Sequence, residues 1–157
     1  MMGSPRHPCS RVTITDMKGA LPPRRVVLLY LTTIPVFFLV DLAWLGLVAP
    51  GFYSRHIGHL MNDRVALLPA ALFYLLFIAG IVGLAVAPAV ENRSWTRAAR
   101  SGSLLGLVAY GTYDLTNLAT LKDWPVIVTV VDVVWGTVLA ATVSVASYFI
   151  GLRLVRR

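Results

Sequence analysis

GSLLGLVAYGTYDLTNLATL, residues 102–121, and PVIVTVVDVVWGTVLAATVSVASYFIGL, residues 125–152, decide the fold. A helix needs about 20 mostly apolar residues to cross the hydrocarbon of a bilayer. Both stretches have that length, and each carries one aspartate and no lysine or arginine. Only Lys122, Asp123 and Trp124 separate them, so they must turn back on one another. Two further stretches of the same kind lie upstream. Residues 26–48, VVLLYLTTIPVFFLVDLAWLGLV, hold Asp41 as their single charge, and residues 65–90 hold none. Hydrocarbon offers the backbone no hydrogen-bond partner, so spanning segments are helices or closed barrels. Their length, and the lack of strict alternation, select helices. The pattern predicts an all-α polytopic membrane protein with four transmembrane helices in an antiparallel bundle.

Composition agrees. The 157-residue chain has 57% hydrophobic and only 13% charged residues, and a mean hydropathy of +0.75. The net charge of +7 sits outside the apolar stretches and forms no basic face of a soluble domain, which argues against nucleic-acid binding. The sole cysteine, Cys9, supports neither an internal disulfide nor a cysteine metal cluster. Residues 1–25 are polar and rich in proline and arginine, and read as a flexible cytoplasmic tail. Met17 is an alternative start within it. Residues 26–154 form the expected membrane domain, and residues 155–157 a basic C-terminus.

The loops set an expected orientation. Of the 14 basic residues, Arg6, Arg11, Lys18, Arg24, Arg25, Arg93, Arg97, Arg100, Arg153, Arg156 and Arg157 fall on one side, against Arg55, Arg64 and Lys122 on the other. Positive loops stay inside, which predicts a multi-pass membrane protein with both termini cytoplasmic. Phe52, Tyr53 and Trp124 then suit an outer aromatic belt, and Trp95 an inner one. Ala79, Gly83 and Ala87, and Gly102 with Gly106, are small-residue ridges of the type that lets helices approach closely. Pro35 and Pro69 are candidate kinks.

Asp41, Asp114 and Asp132 are the outstanding feature. A carboxylate at the centre of an inserted helix costs about 2.5–3.5 kcal/mol on the insertion scale, and intramembrane ionisable residues point to function. Each is seven residues from the expected outer end of its helix, which places all three roughly 10 Å deep, in one layer. Tyr110 and Asn117 share a helical face with Asp114. Trp44 and Trp135 each follow an aspartate by three residues on oppositely running helices, so a pocket between them would have an aromatic lid and an aromatic floor. Crowded carboxylates cannot all remain ionised in low dielectric, so one should hold a proton unless a cation is bound. The plainer alternative is that the aspartates bridge helices through tyrosine, threonine and asparagine. In the first loop, APGFYSRHIGHLMNDR, His56 and His59 are weak metal candidates: two imidazoles with no carboxylate at ligand spacing. The plainer alternative there is an interfacial amphipathic segment. No Walker loop, nucleophile elbow or desaturase-type histidine box is present, and the sequence leaves any cofactor unknown.

GTYDLTNLATLKDWP, residues 111–125, followed by DVVWGTVLA, residues 132–140, resembles domain-of-unknown-function family 2177, small bacterial integral membrane proteins. The DLAWLG, FYSRHIGHLM and LFYLLFIAG stretches fit the same pattern, and the resemblance covers about residues 26–154. It implies a four-helix membrane protein and carries no catalytic role. Three functions compete. One is binding or transport of a small cationic or lipid-like molecule, with the aspartates as counter-ions or proton carriers, in a possible homodimer. The second is a membrane enzyme acting on lipid, with aspartate acid and base and a metal at the first loop. The third is an accessory subunit whose polar layer receives a partner helix.

Overall fold

The computed structural model describes residues 21–62 and 64–155. Of the tail expected over residues 1–25, residues 1–20, with Cys9 and Met17, lie outside the described residues, as do the final Arg156 and Arg157; its last three residues, Pro23, Arg24 and Arg25, belong instead to the first helix. Among the described residues there are five helices: α1 (Pro23–Leu47), the short α2 (Ala49–Ile57), α3 (Leu67–Glu91), α4 (Trp95–Thr120) and α5 (Val126–Val155). A single turn of tighter helix, Gly58–Leu60, follows α2.

Local chemistry sets the boundaries. Pro23 opens α1, where its missing N–H would have no partner anyway. Pro50 lacks the N–H needed to continue α1 and instead lies in the first turn of α2. Ser94 caps α4, its hydroxyl accepting from the Arg97 amide at 3.3 Å. That cap lets α4 start seven residues before the apolar stretch, at Trp95 rather than Gly102. Asp123 turns the chain between α4 and α5 with a φ of 60°, a conformation that aspartate tolerates better than most residues.

α1, α3 and α5 are each long and apolar enough to cross a membrane. α4 has 26 residues and packs along α5 from the Asp123 turn to the opposite end. The four long helices run up, down, up and down. Leu29 meets Val90 and Gly151 at one end, whereas Trp44 meets Trp135 at the other. α1 and α4 lie across the diagonal, each packed on α3 and α5. Two ends result. The terminal end carries the start of α1, the α3–α4 turn and the end of α5. The loop end carries α2 and the α4–α5 turn.

The surface is that of a membrane protein. Leu39, Leu47, Leu76 and Leu84 stand out from the bundle, while Thr33, Asp41, Asp114, Thr129, Asp132, Ser144 and Ser147 are buried. Lipid rewards the first arrangement and only interior packing accommodates the second.

Three packing expectations change. Pro69 falls in the first turn of α3, where no hydrogen bond is lost, so it kinks nothing. Pro88, by contrast, follows a π-helical segment, Ile81–Val86. Its ring and missing N–H disrupt the regular ladder one turn back, and the wider turn absorbs the conflict. That insertion turns Gly83 away from the core: a Cβ there would meet nothing within 4 Å. Ala79 and Gly83 of the expected ridge therefore pack no helix, while Ala87, past the insertion, joins Ile81, Val82, Ala85 and Val86 in the core.

The Gly102–Gly106 ridge does pack. A Cβ on Gly102 would lie 2.7 Å from the Ala140 carbonyl oxygen, and one on Gly106 would overlap the Gly136 carbonyl. Trp124 is buried rather than in an aromatic belt, donating from Nε1 to the Thr129 hydroxyl at 3.0 Å. Trp95 is exposed, as a belt residue would be.

Candidate functional site

The α4–α5 hairpin has a fixed register. Gly102 lies on Ser144, Gly106 on Gly136 and Ala140, and the Tyr110 ring on Gly136. Every fourth residue of α4 thus meets every fourth residue of α5, the arrangement of interlocking i±4 ridges. The next step along both ridges sets Asp114 opposite Asp132. Asp114 is fully buried, and both of its carboxylate oxygens lack a hydrogen-bond partner.

Asp132 is engaged from above. Tyr53, on α2, donates its hydroxyl hydrogen bond to Asp132 Oδ1. Burial first, and then this carboxylate, hold the Tyr53 hydroxyl's pKa above the ordinary tyrosine range. Tyr53 therefore belongs to the site, not to an aromatic belt. Asp41 is buried on α1 against Tyr74 of α3.

The two tryptophans pack on one another. Trp44 and Trp135 stack, with centroids 4.3 Å apart and planes 10° from parallel. They form one aromatic slab, and nothing fits between them as lid and floor. Asp132 pairs with Tyr53 and Asp41 with Tyr74, and Asp41, Tyr53, Tyr74 and Tyr110 border one cleft.

Two clefts adjoin these groups. One, of about 510 Å³, is lined by Phe73, Ala109, Tyr110, Thr112, Tyr113 and Asp132. The other, of about 160 Å³, is lined by Asp41, Trp44, Leu45, Tyr53, Phe73, Tyr74, Tyr110 and Trp135. Phe73 and Tyr110 border both. The larger volume falls in the roughly 300–1,000 Å³ range of small-molecule sites. The Nε1 atom of Trp135 is buried without a partner, an unused donor, and that of Trp44 lies toward the Tyr53 hydroxyl. Asn117 is half-buried, one turn beyond Asp114. Arg55, Arg64 and Lys122, the arginine and lysine residues at this end, are exposed.

The histidines stand apart. His56 Nδ1 meets its own helix at the Phe52 carbonyl, 2.8 Å away, and its ring lies against Phe52. His59 is exposed in the turn after α2. Among the described residues, no three histidine, cysteine, aspartate or glutamate side chains gather as a metal ligand set.

Sequence reasoning missed Tyr53 and Tyr74. Tyr53 read as interfacial because tyrosine is at home there. Tyr74, the one tyrosine in an uncharged span, is a signal that was available.

No curated protein and no solved structure matches the chain. The sequence model of family DUF2177, described as "Predicted membrane protein", matches residues 26–149. That match takes in α2, nearly all of the four long helices and every residue of the carboxylate clusters, and the chain belongs to this family of membrane proteins of unknown function.

Proposed function

We propose that the protein binds, and moves, a small organic cation with an apolar body. The observation that carries this reading is Asp114: a fully buried carboxylate with both oxygens unpartnered, beside a second carboxylate. A purely structural aspartate would be hydrogen-bonded, since an unsatisfied buried polar group costs about 1–3 kcal/mol and more when charged. Asp132, not Asp114, lines the larger cleft, and a cation that moved from that cleft in to the pair would supply the missing partner. Phe73, Tyr110 and Tyr113 offer aromatic faces that attract cations. Phe73 on α3 and Tyr113 on α4 are both exposed, so the cleft meets the lipid-facing surface. A ligand already dissolved in the bilayer has a direct route to it.

Orientation belongs to the same proposal. Arg24, Arg25, Arg93, Arg97, Arg100 and Arg153 lie at the terminal end, against Arg55, Arg64 and Lys122 at the loop end. The positive-inside rule puts the terminal end in the cytoplasm of a bacterial inner membrane and the carboxylates in the outer half. Reporter fusions after residue 157 and within residues 58–66 would then report opposite sides.

Tetraphenylphosphonium is a suitable probe for binding. Equilibrium dialysis of the purified protein in nanodiscs should give saturable uptake that weakens at least tenfold in Asp114→Asn. Absence of saturable uptake, or equal uptake by the variant, would overturn the reading.

A further inference from the structure

We propose that Asp114 and Asp132 hold a single proton between them in the free protein, and that a bound cation displaces it. The cation half of this inference rests on the reading above; the shared proton does not. The hairpin register places the two carboxylates opposite one another across α4 and α5. Two carboxylates facing each other in a dry site cannot both ionise without a large repulsion, so one proton serves the pair.

Every titratable group around the pair leaves that proton in place. Tyr53 of α2 donates to Asp132, which favours ionisation of Asp132 and leaves Asp114 as the proton's main seat. Tyr110, on Asp114's own helix, is neutral at physiological pH. Asp41 of α1 pairs with Tyr74 of α3, and a further carboxylate nearby only disfavours a second negative charge. No lysine or arginine lies within α1 beyond Arg25, within α3, in α4 beyond Arg100 or in α5 before Arg153. The balance is simple. The free pair carries one proton and one negative charge; the bound pair carries two negative charges and one monovalent cation; one proton leaves for each cation that enters. That is the stoichiometry of a one-for-one proton–cation exchanger.

Infrared difference spectroscopy of the ligand-free protein in nanodiscs tests the first half. A protonated-carboxyl stretch is expected at neutral pH, absent in Asp114→Asn and retained in Asp123→Asn, which alters only the exposed α4–α5 turn. The wild-type band alone is decisive: its absence overturns the proposal. Adding tetraphenylphosphonium in weak buffer with a pH indicator tests the second half. Loss of the band with release of one proton per bound cation supports exchange. Binding with the band intact and no release overturns exchange while leaving cation binding standing. A band with no binding at all overturns the cation reading and exchange with it, while the shared proton stands.

Discussion

At the terminal end of the α4–α5 hairpin, Gly102 and Gly106 face Ser144 and Ala140; at the loop end, Tyr110 and Asp114 face Gly136 and Asp132. The four-residue period is the same at both ends, and only the side chains on it change. Where they are small, the backbones touch and no space is left for a guest. Where they are a tyrosine and two aspartates, the ridges still interlock but enclose unpartnered oxygen atoms and border clefts. One continuous packing scheme thus provides a rigid clamp and, beyond it, a polar chamber held in position by that clamp. Proteins commonly give up some stability to hold a functional group in an unfavourable setting; here the unpartnered carboxylate lies at the loop end, and the terminal end leaves only the smaller Ser144 and Ser147 hydroxyls without partners.

The largest effect should come from breaking the clamp. Gly106→Leu forces a side chain into the Gly136 backbone and should destabilise the protein by about 3 kcal/mol, the upper part of the overpacking range. Thermal unfolding in detergent, followed by circular dichroism, would register it. A variant as stable as wild type would mean that the two helices do not approach as described.

The chamber should respond in the opposite way. Asp114→Asn should change stability by less than about 1 kcal/mol, since the amide keeps the shape of the carboxyl and can donate to Asp132 in place of the shared proton. Its affinity for tetraphenylphosphonium should nevertheless fall at least tenfold, or about 1.4 kcal/mol. If stability and binding fall together, the aspartate is a structural bridge and the contrast between the two ends disappears.

Tyr53→Phe should cost about 1–2 kcal/mol, through the hydrogen bond to Asp132. Faster amide exchange across α2 would locate the loss. The folded-state pKa of Tyr53 is raised, so its contribution is fully present below the ordinary tyrosine pKa and fades only as strong alkali removes the proton. The smallest effect expected is a gain. Gly111→Ala lies between the two regions with nothing within 4 Å of the new methyl, and relief of helix-glycine entropy should stabilise by about 0.5–1 kcal/mol.

Much of this architecture was legible in the sequence because membrane physics is strict. Length and hydropathy placed the four long helices to within a few residues, except at Trp95, where the Ser94 cap extends α4 past its apolar stretch. Asp41, Asp114 and Asp132 were conspicuous because hydrocarbon makes any charge conspicuous. The Trp44–Trp135 stack was not legible, since counting residues along each helix does not show which side chains meet across the bundle. The failed Ala79–Gly83–Ala87 ridge has a local cause: a π turn before Pro88 shifts which face meets the core, and the regular period carries no trace of it. Tyr53 reached the site through α2, a short helix whose position depends on tertiary contact rather than on its own sequence.

Dicyclohexylcarbodiimide offers the most direct test of the central claim, that a protonated carboxylate pair at the loop end is where a cation binds. This apolar reagent dissolves in the bilayer and reacts with protonated carboxyl groups there. Mass spectrometry of the protein in nanodiscs at neutral pH should find the adduct on Asp114 or Asp132, with Asp123 in the exposed turn unmodified. Saturating tetraphenylphosphonium should suppress the labelling. An adduct that persists unchanged under saturating cation, or no adduct on either aspartate, would contradict the account.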